Sequence, residues 1–337
     1  MVLELIAEFD PFLQEHIRQY GNKGSGTTSY LSANICEEVL KIMADRVLRK
    51  IVTEILISKY WSMSVDSTPD KSHIDQLTFI IRYVSENGKS VERFIKFIPN
   101  CDHTGEAISN TILKTLKTHE IDIKDCRGQS YDNASNMSGI YKGVQARITA
   151  INPLAEWIPC AAHFLNLVGS NSIDSNPIAG QLFLNLQALY NFFKDSNKRW
   201  DFLHKKLLLT IKNLSVTRWS ARYDACKTLA QSFQIILNVL LEISKNNKEK
   251  SKTRSEAKGL YDKLNCLEIC FMSLVWYDIL ERFNTVSMKL QSTKTELCTV
   301  VDLYESLIEY LSFLRYDFEN YEKKLLKFLV VIFIKKM

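Results

Sequence analysis

Apolar residues recur at helical spacing through the first twenty residues, "MVLELIAEFDPFLQEHIRQY", until "GNKGSGTTSY" breaks the pattern. A second helical run extends from about Ser32 to Lys59, with Ser and Thr in front of it that suit an N-cap. From Tyr60 to Pro99 the texture changes to strand: "YWSMSVD", "QLTFIIRYVS" and "SVERFIKFIP" are rich in aromatic and β-branched residues. "ENGK" (Glu86 to Lys89) separates the last two, and Asn-Gly between such runs predicts a hairpin turn.

Helical spacing returns in "TGEAISNTILKTLKTHEI", where apolar positions 107, 108, 112, 113 and 116 share a face and Thr104 is placed to cap. "CRGQSYDNASNM" reads as a short strand breaking into a loop, "GVQARITAI" as helix, and "EWIPCAAHFLNLVGSNS" as a strand passing into a helix. Three strands, then helix, strand, helix, strand and helix predict a mixed α/β sheet with helices on its faces, the order of an RNase H-like core. From about Gln181 the pattern is almost wholly helical, interrupted by "NLSVTRWSARYD" and by the charged run Ser244 to Gly259, expected to be solvated. The last proline is Pro177, so Gly259 and polar linkers are the expected helix stops. The expected organisation is a helical segment over 1–58, the RNase H-like core over 59–180, and an all-α region over 181–337.

Composition narrows the class without deciding the partner. With 337 residues, 46% of them hydrophobic, the chain can bury a sizeable core. A net charge of +5 permits nucleic-acid contact but is no strong basic footprint. Eight cysteines without a CxxC pair argue against a disulfide framework and for a reducing interior, cytosol or nucleus. The first residues lack a basic n-region, and the most apolar run, "FLVVIFI" (Phe328 to Ile334), falls far short of the ~20 residues of a membrane span.

Candidate chemistry concentrates in a few acids. Asp66, at the end of the first predicted strand, and Asp132, after the fourth, would converge at a carboxyl edge if those strands are neighbours. Such a pair can hold divalent ions for phosphodiester chemistry; each acid is equally a competent turn former. Asp70, beyond Pro69, is a second acid of equal interest at this point. Cys160 and His163 in "PCAAH" are spaced like half a zinc site, but no second pair lies at finger spacing, so no zinc site is expected. The alternative is a buried thiol and a hydrogen-bonded histidine. Trp219 after Arg218 could stack on a base beside a phosphate-binding guanidinium, or pack its helix against a neighbour.

Taken together, "VDSTPDKSHIDQLT", "RGQSYDNASNMSGIYKGVQARI", "PCAAHFLNLV" and "VTRWSAR" resemble the transposase region of the hAT superfamily, in its MYM-type zinc-finger protein 1-like branch. The resemblance implies an RNase H-like core interrupted by a helical insertion, and two Asp plus one Glu that bind Mg²⁺ or Mn²⁺ to cut and join DNA. It implies that Asp66 and Asp132 are the first two acids, that Cys160 and His163 flank the site, and that Arg218 and Trp219 contact transposon-end DNA. The third acid of that family follows the insertion domain in a "SER" segment, which the sequence does not contain. Glu305, Glu309 and Glu319 are spaced like a solvated helix face. The expectation is a truncated, transposase-derived nuclear protein with little or no strand-transfer activity, or a non-catalytic module binding DNA or protein. A homo-oligomer or a protein partner through the helical region, and no membrane, complete the expected partners.

Overall fold

A computed structural model describes residues 2–21, 30, 32–69, 74–99, 102–207, 209–214 and 219–334. The chain divides into two compact units: Met1–Tyr131 with Ser135–Ile158, and Asp132–Ala134 with Pro159–Met337.

In the first unit the helical run at the start is two helices, α1 (Val2–Ala7) and α2 (Pro11–Tyr20). Asp10 divides them: the Phe12 and Leu13 N–H groups donate to its Oδ1 at 3.0 and 3.2 Å. Pro11 follows at the first helical position, where a missing N–H costs nothing. Helix α3 (Ala33–Ser58) starts as the cap residues predict, with Ile35 N–H donating to Ser32 Oγ. It stops at Lys59, whose φ of 63° turns the chain out of the helix.

Five strands follow in the order β3-β2-β1-β4-β5. They are β1 (Trp61–Pro69), β2 (Asp75–Val84), β3 (Ser90–Pro99), β4 (Cys126–Ser130) and β5 (Glu156–Trp157). The first three form an antiparallel meander, closed between β2 and β3 by Gly88 at φ 71°, while β4 and β5 run parallel to β1. The expected mixed sheet is present. Trp61, Met63 and Val65 pair across β2 with Tyr83, Ile81 and Phe79, so all six share one buried face. Against it pack Ile55 of α3, Ile108 and Ile112 of α4 (Gly105–Thr118), and, beyond the single turn α5 (Ser135–Ser138), Val144 and Ile148 of α6 (Val144–Ile151). Each such side chain contributes about 1.5–3 kcal/mol by leaving water. The alternate residues turn the other way, and there Ser64, Asp66, Phe94 and Phe97 are exposed.

The second unit is all-helical: α7 (Ala161–Asp174), α8 (Pro177–Lys194), α9 (Asn197–His204), α10 (Trp219–Lys245), α11 (Ser251–Leu264), α12 (Leu267–Leu290), α13 (Leu297–Leu314) and α14 (Phe318–Ile334). Its largest core gathers Leu182, Phe193, Ile236, Leu240, Leu264 and Leu280, all fully buried. One expectation fails here. The charged run Ser244–Gly259 is mostly exposed, as expected, but it breaks the helical pattern only briefly: its latter part belongs to α11, and Gly259 lies inside that helix without stopping it. The stripe Ala257, Leu260 and Leu264 buries α11, and the ion pairs Lys252–Glu256 and Lys258–Asp262 span single turns on its exposed side. Among the described residues no helix is long and apolar enough to cross a membrane.

Candidate functional site

Asp66 does not end its strand. It pairs with Thr78 while β1 continues to Pro69, because the antiparallel partner β2 carries the strand onward. Relative to β4, however, the last parallel pair is Ser64 with Ser130, so Asp66 lies two residues beyond it on β1. Asp66 alternates with buried Val65 and stands on the open face.

Asp132 likewise follows Ser130 by two residues, after β4 has ended. Its Oδ1 accepts from Ala134 N–H at 3.2 Å, a local turn of the kind that Asp before a polar residue favours. The residue between strand and acid, Tyr131, is 1% exposed, and its hydroxyl has no hydrogen-bond partner among the described residues. Burial, with Cys126 nearby, pushes that phenol well above its ordinary value. Burial also pushes the Cys126 thiol up to about 11. Gln129, on the same face, ties β4 to its surroundings by donating to Thr149 Oγ1 at 3.0 Å and to the Ala155 carbonyl at 2.9 Å.

The segment after Asp132 is fixed by contacts that its loop-like composition does not announce. Asn136 Nδ2 donates to the His103 carbonyl at 2.8 Å, just before α4. At Gly105, the first residue of α4, a Cβ would lie 2.4 Å from the Lys142 carbonyl oxygen and 2.7 Å from that of Asn136. Only a glycine admits this approach. The start of α4 also carries the expected cap, Ala107 N–H donating to Thr104 Oγ1, while His103 Nε2 pairs with Asp75 at 3.1 Å.

Cys160 and His163 open α7. Cys160 occupies the N-cap position without a side-chain capping bond, and both side chains are half-buried. Tyr304 of α13 donates its hydroxyl to the Ala161 carbonyl at 2.7 Å. Burial, and secondarily Cys160, raises that phenol above its ordinary value. Arg218 and Asp70 lie outside the described residues, as does the side chain of Trp219, whose backbone begins α10. Arg222, one turn on, is half-buried with its guanidinium 5.3 Å from the centre of the Phe183 ring, and burial lowers its pKa. The second arginine of that motif is therefore engaged in the helical core.

Carboxylate oxygens are suitable donors for Mg²⁺ or Mn²⁺, but a catalytic pair of ions needs more than two acids. Among the described residues no group of three or more His, Cys, Asp or Glu side chains is placed to hold a metal ion. Glu305 and Glu309 on α13 and Glu319 on α14 are exposed helix residues. The donors described do not by themselves fit a resident divalent ion.

A mixed five-stranded sheet flanked by helices, followed by an all-helical region, defines an RNase-like α/β protein with a helical part. Residues 2–143 match the family model DUF4371, described as ZMYM1/FAM200, RNase-like domain. The matched stretch contains β1 to β4 together with Asp66 and Asp132.

Proposed function

We propose that this chain is a transposase-derived RNase H-like protein of the hAT type, whose ancestral reaction was metal-dependent cleavage and strand transfer on DNA. The observation that carries the reading is register. Asp66 and Asp132 each lie two residues past the terminal pair of neighbouring parallel strands, where side chains at a carboxyl edge serve ligands. The similarity to an RNase-like domain over the stretch holding both acids supports it. In this reading Asp66 and Asp132 are the ancestral ligands for Mg²⁺ or Mn²⁺, and Cys160 and His163 are the Cys-x-x-His pair that the resemblance implies. The polypeptide itself lacks the reaction, because two carboxylates leave such a site short of a fixed ligand. Purified chain incubated with Mg²⁺ or Mn²⁺ and a terminal-repeat duplex is expected to leave the DNA intact. Nicking that Asp66→Ala abolishes would overturn the inactivity.

A nuclear, DNA-contacting role without catalysis belongs to the same reading, with Arg218 and Trp219 as the contacts. The exposure of Glu305, Glu309 and Glu319 on helices favours it over a working nuclease. DNA affinity should fall steeply with salt and drop on Arg218→Ala or Trp219→Ala, because phosphate contacts release counterions. A protein-interaction module would instead show a flat salt response and no dependence on either residue.

A further inference from the structure

Ile140 and Tyr141 stand side by side in water: they are 71% and 86% exposed, at the tip of the turn over 139–143 that joins α5 to α6. The backbone beneath them is fixed. Gly143 N–H donates to the Gly139 carbonyl and Gly139 N–H to the Ser135 carbonyl, both at 3.0 Å. Gln145 Nε2 donates to the Ser138 and Gly139 carbonyls, and Arg147 Nε to the Lys142 carbonyl. The turn also has a defined place on the sheet. Its Lys142 carbonyl lies against the Gly105 that opens α4, and His103, just ahead of α4, pairs with Asp75, which lies opposite Pro69 at the end of β1. The tip therefore belongs to the carboxyl edge of the sheet, the edge at which Asp66 passes beyond β4. A bulky pair held out on a rigid turn adds nothing to the core, but it loses little freedom when it binds.

We propose that this tip is a DNA contact, in which Tyr141 stacks on an unpaired base, Ile140 wedges against the adjoining base step and the Lys142 ammonium meets a phosphate. The inference rests on the DNA-contacting reading above and says where the DNA touches the first unit. Charge and composition select this occupant. From Asn133 to Arg147 the sequence has two cations, Lys142 and Arg147, and no acid. Arg147 is paired with Glu106 at 3.2 Å, whereas Lys142 is exposed with no ion pair among the described residues. A free cation directly beside an aromatic ring suits a phosphate beside a base, while the buried centre of a protein interface is depleted of lysine. Within the turn the pair is flanked by Gly139 and Lys142, so it extends into no broader apolar run along the chain.

Photocross-linking of the full chain to a duplex that carries an unpaired iodouracil, a base that couples to an aromatic ring stacked on it, tests the contact. Mass spectrometry is expected to place the cross-link on Tyr141; Tyr141→Ala should abolish it and Tyr141→Phe should keep it. The duplex with the unpaired base should bind at least about fivefold tighter than a fully paired one, and Tyr141→Ala should erase that difference. Lys142→Ala should weaken both alike and reduce the salt slope by about one. Circular dichroism should show each variant folded, because every substituted side chain is exposed. Binding that depends on Arg218 and Trp219 but gives no cross-link at Tyr141 and ignores Tyr141→Ala overturns the contact and leaves the DNA-contacting reading standing. A chain that binds neither duplex overturns both.

Discussion

Two buried polar side chains lie two residues apart, Gln129 on β4 and Tyr131 just past its end. Gln129 places its amide nitrogen among three acceptors, whereas the Tyr131 hydroxyl is buried with no partner among the described residues. A buried, unsatisfied hydroxyl costs about 1–3 kcal/mol, so Tyr131→Phe should raise stability by roughly 1 kcal/mol in urea denaturation. The same measurement across pH reads Cys126. Its thiol ionises near 9.0 when unfolded but near 11 when folded, so the folded state retains the proton longer. The stabilisation is complete below the unfolded value and falls as pH rises from about 9 to about 11. Tyr131, also raised, extends the decline to higher pH. Cys126→Ala should flatten the first part of this slope; an unchanged slope would contradict the assignment.

Among elements, what depended on near neighbours was legible and what depended on distant partners was not. The caps Ser32 and Thr104, and the Asn-Gly turn, act within four residues and stand where the sequence places them. The extension of β1 past Asp66 required a partner strand, and the sheet order required pairings far apart in the chain. At Ser244–Gly259 composition foretold the exposure but not the helix, because the apolar stripe that fixes α11 has only Ala257 within the run and continues at Leu260 and Leu264 beyond it. Two glycines at helices now separate by environment. A Cβ at Gly259 meets nothing within 4 Å, so Gly259→Ala should stabilise by about 0.5–1 kcal/mol through helix propensity. Gly105→Ala should instead cost about 1–3 kcal/mol, because its Cβ drives into backbone carbonyls. Thermal denaturation that moves both variants in one direction would refute this contrast.

At the scale of the molecule, the two units hold separate hydrophobic cores. Ile112 is fully buried in the first and Leu240 in the second. Each should lose about 2–5 kcal/mol on truncation to alanine. Calorimetry is expected to resolve two transitions, Ile112→Ala lowering one and Leu240→Ala the other. A single transition lowered equally by both would show that the cores unfold together.

The turn at Asp132 has a bearing on how such a protein ages. Ala134 N–H needs only an acceptor oxygen, which asparagine supplies as well as aspartate does. That hydrogen bond therefore needs an oxygen at residue 132 and not a charge. Chemistry and folding can decay on separate clocks: a lineage could trade the carboxylate for an amide and still make a sound protein, erasing an ancestral reaction without a trace in stability.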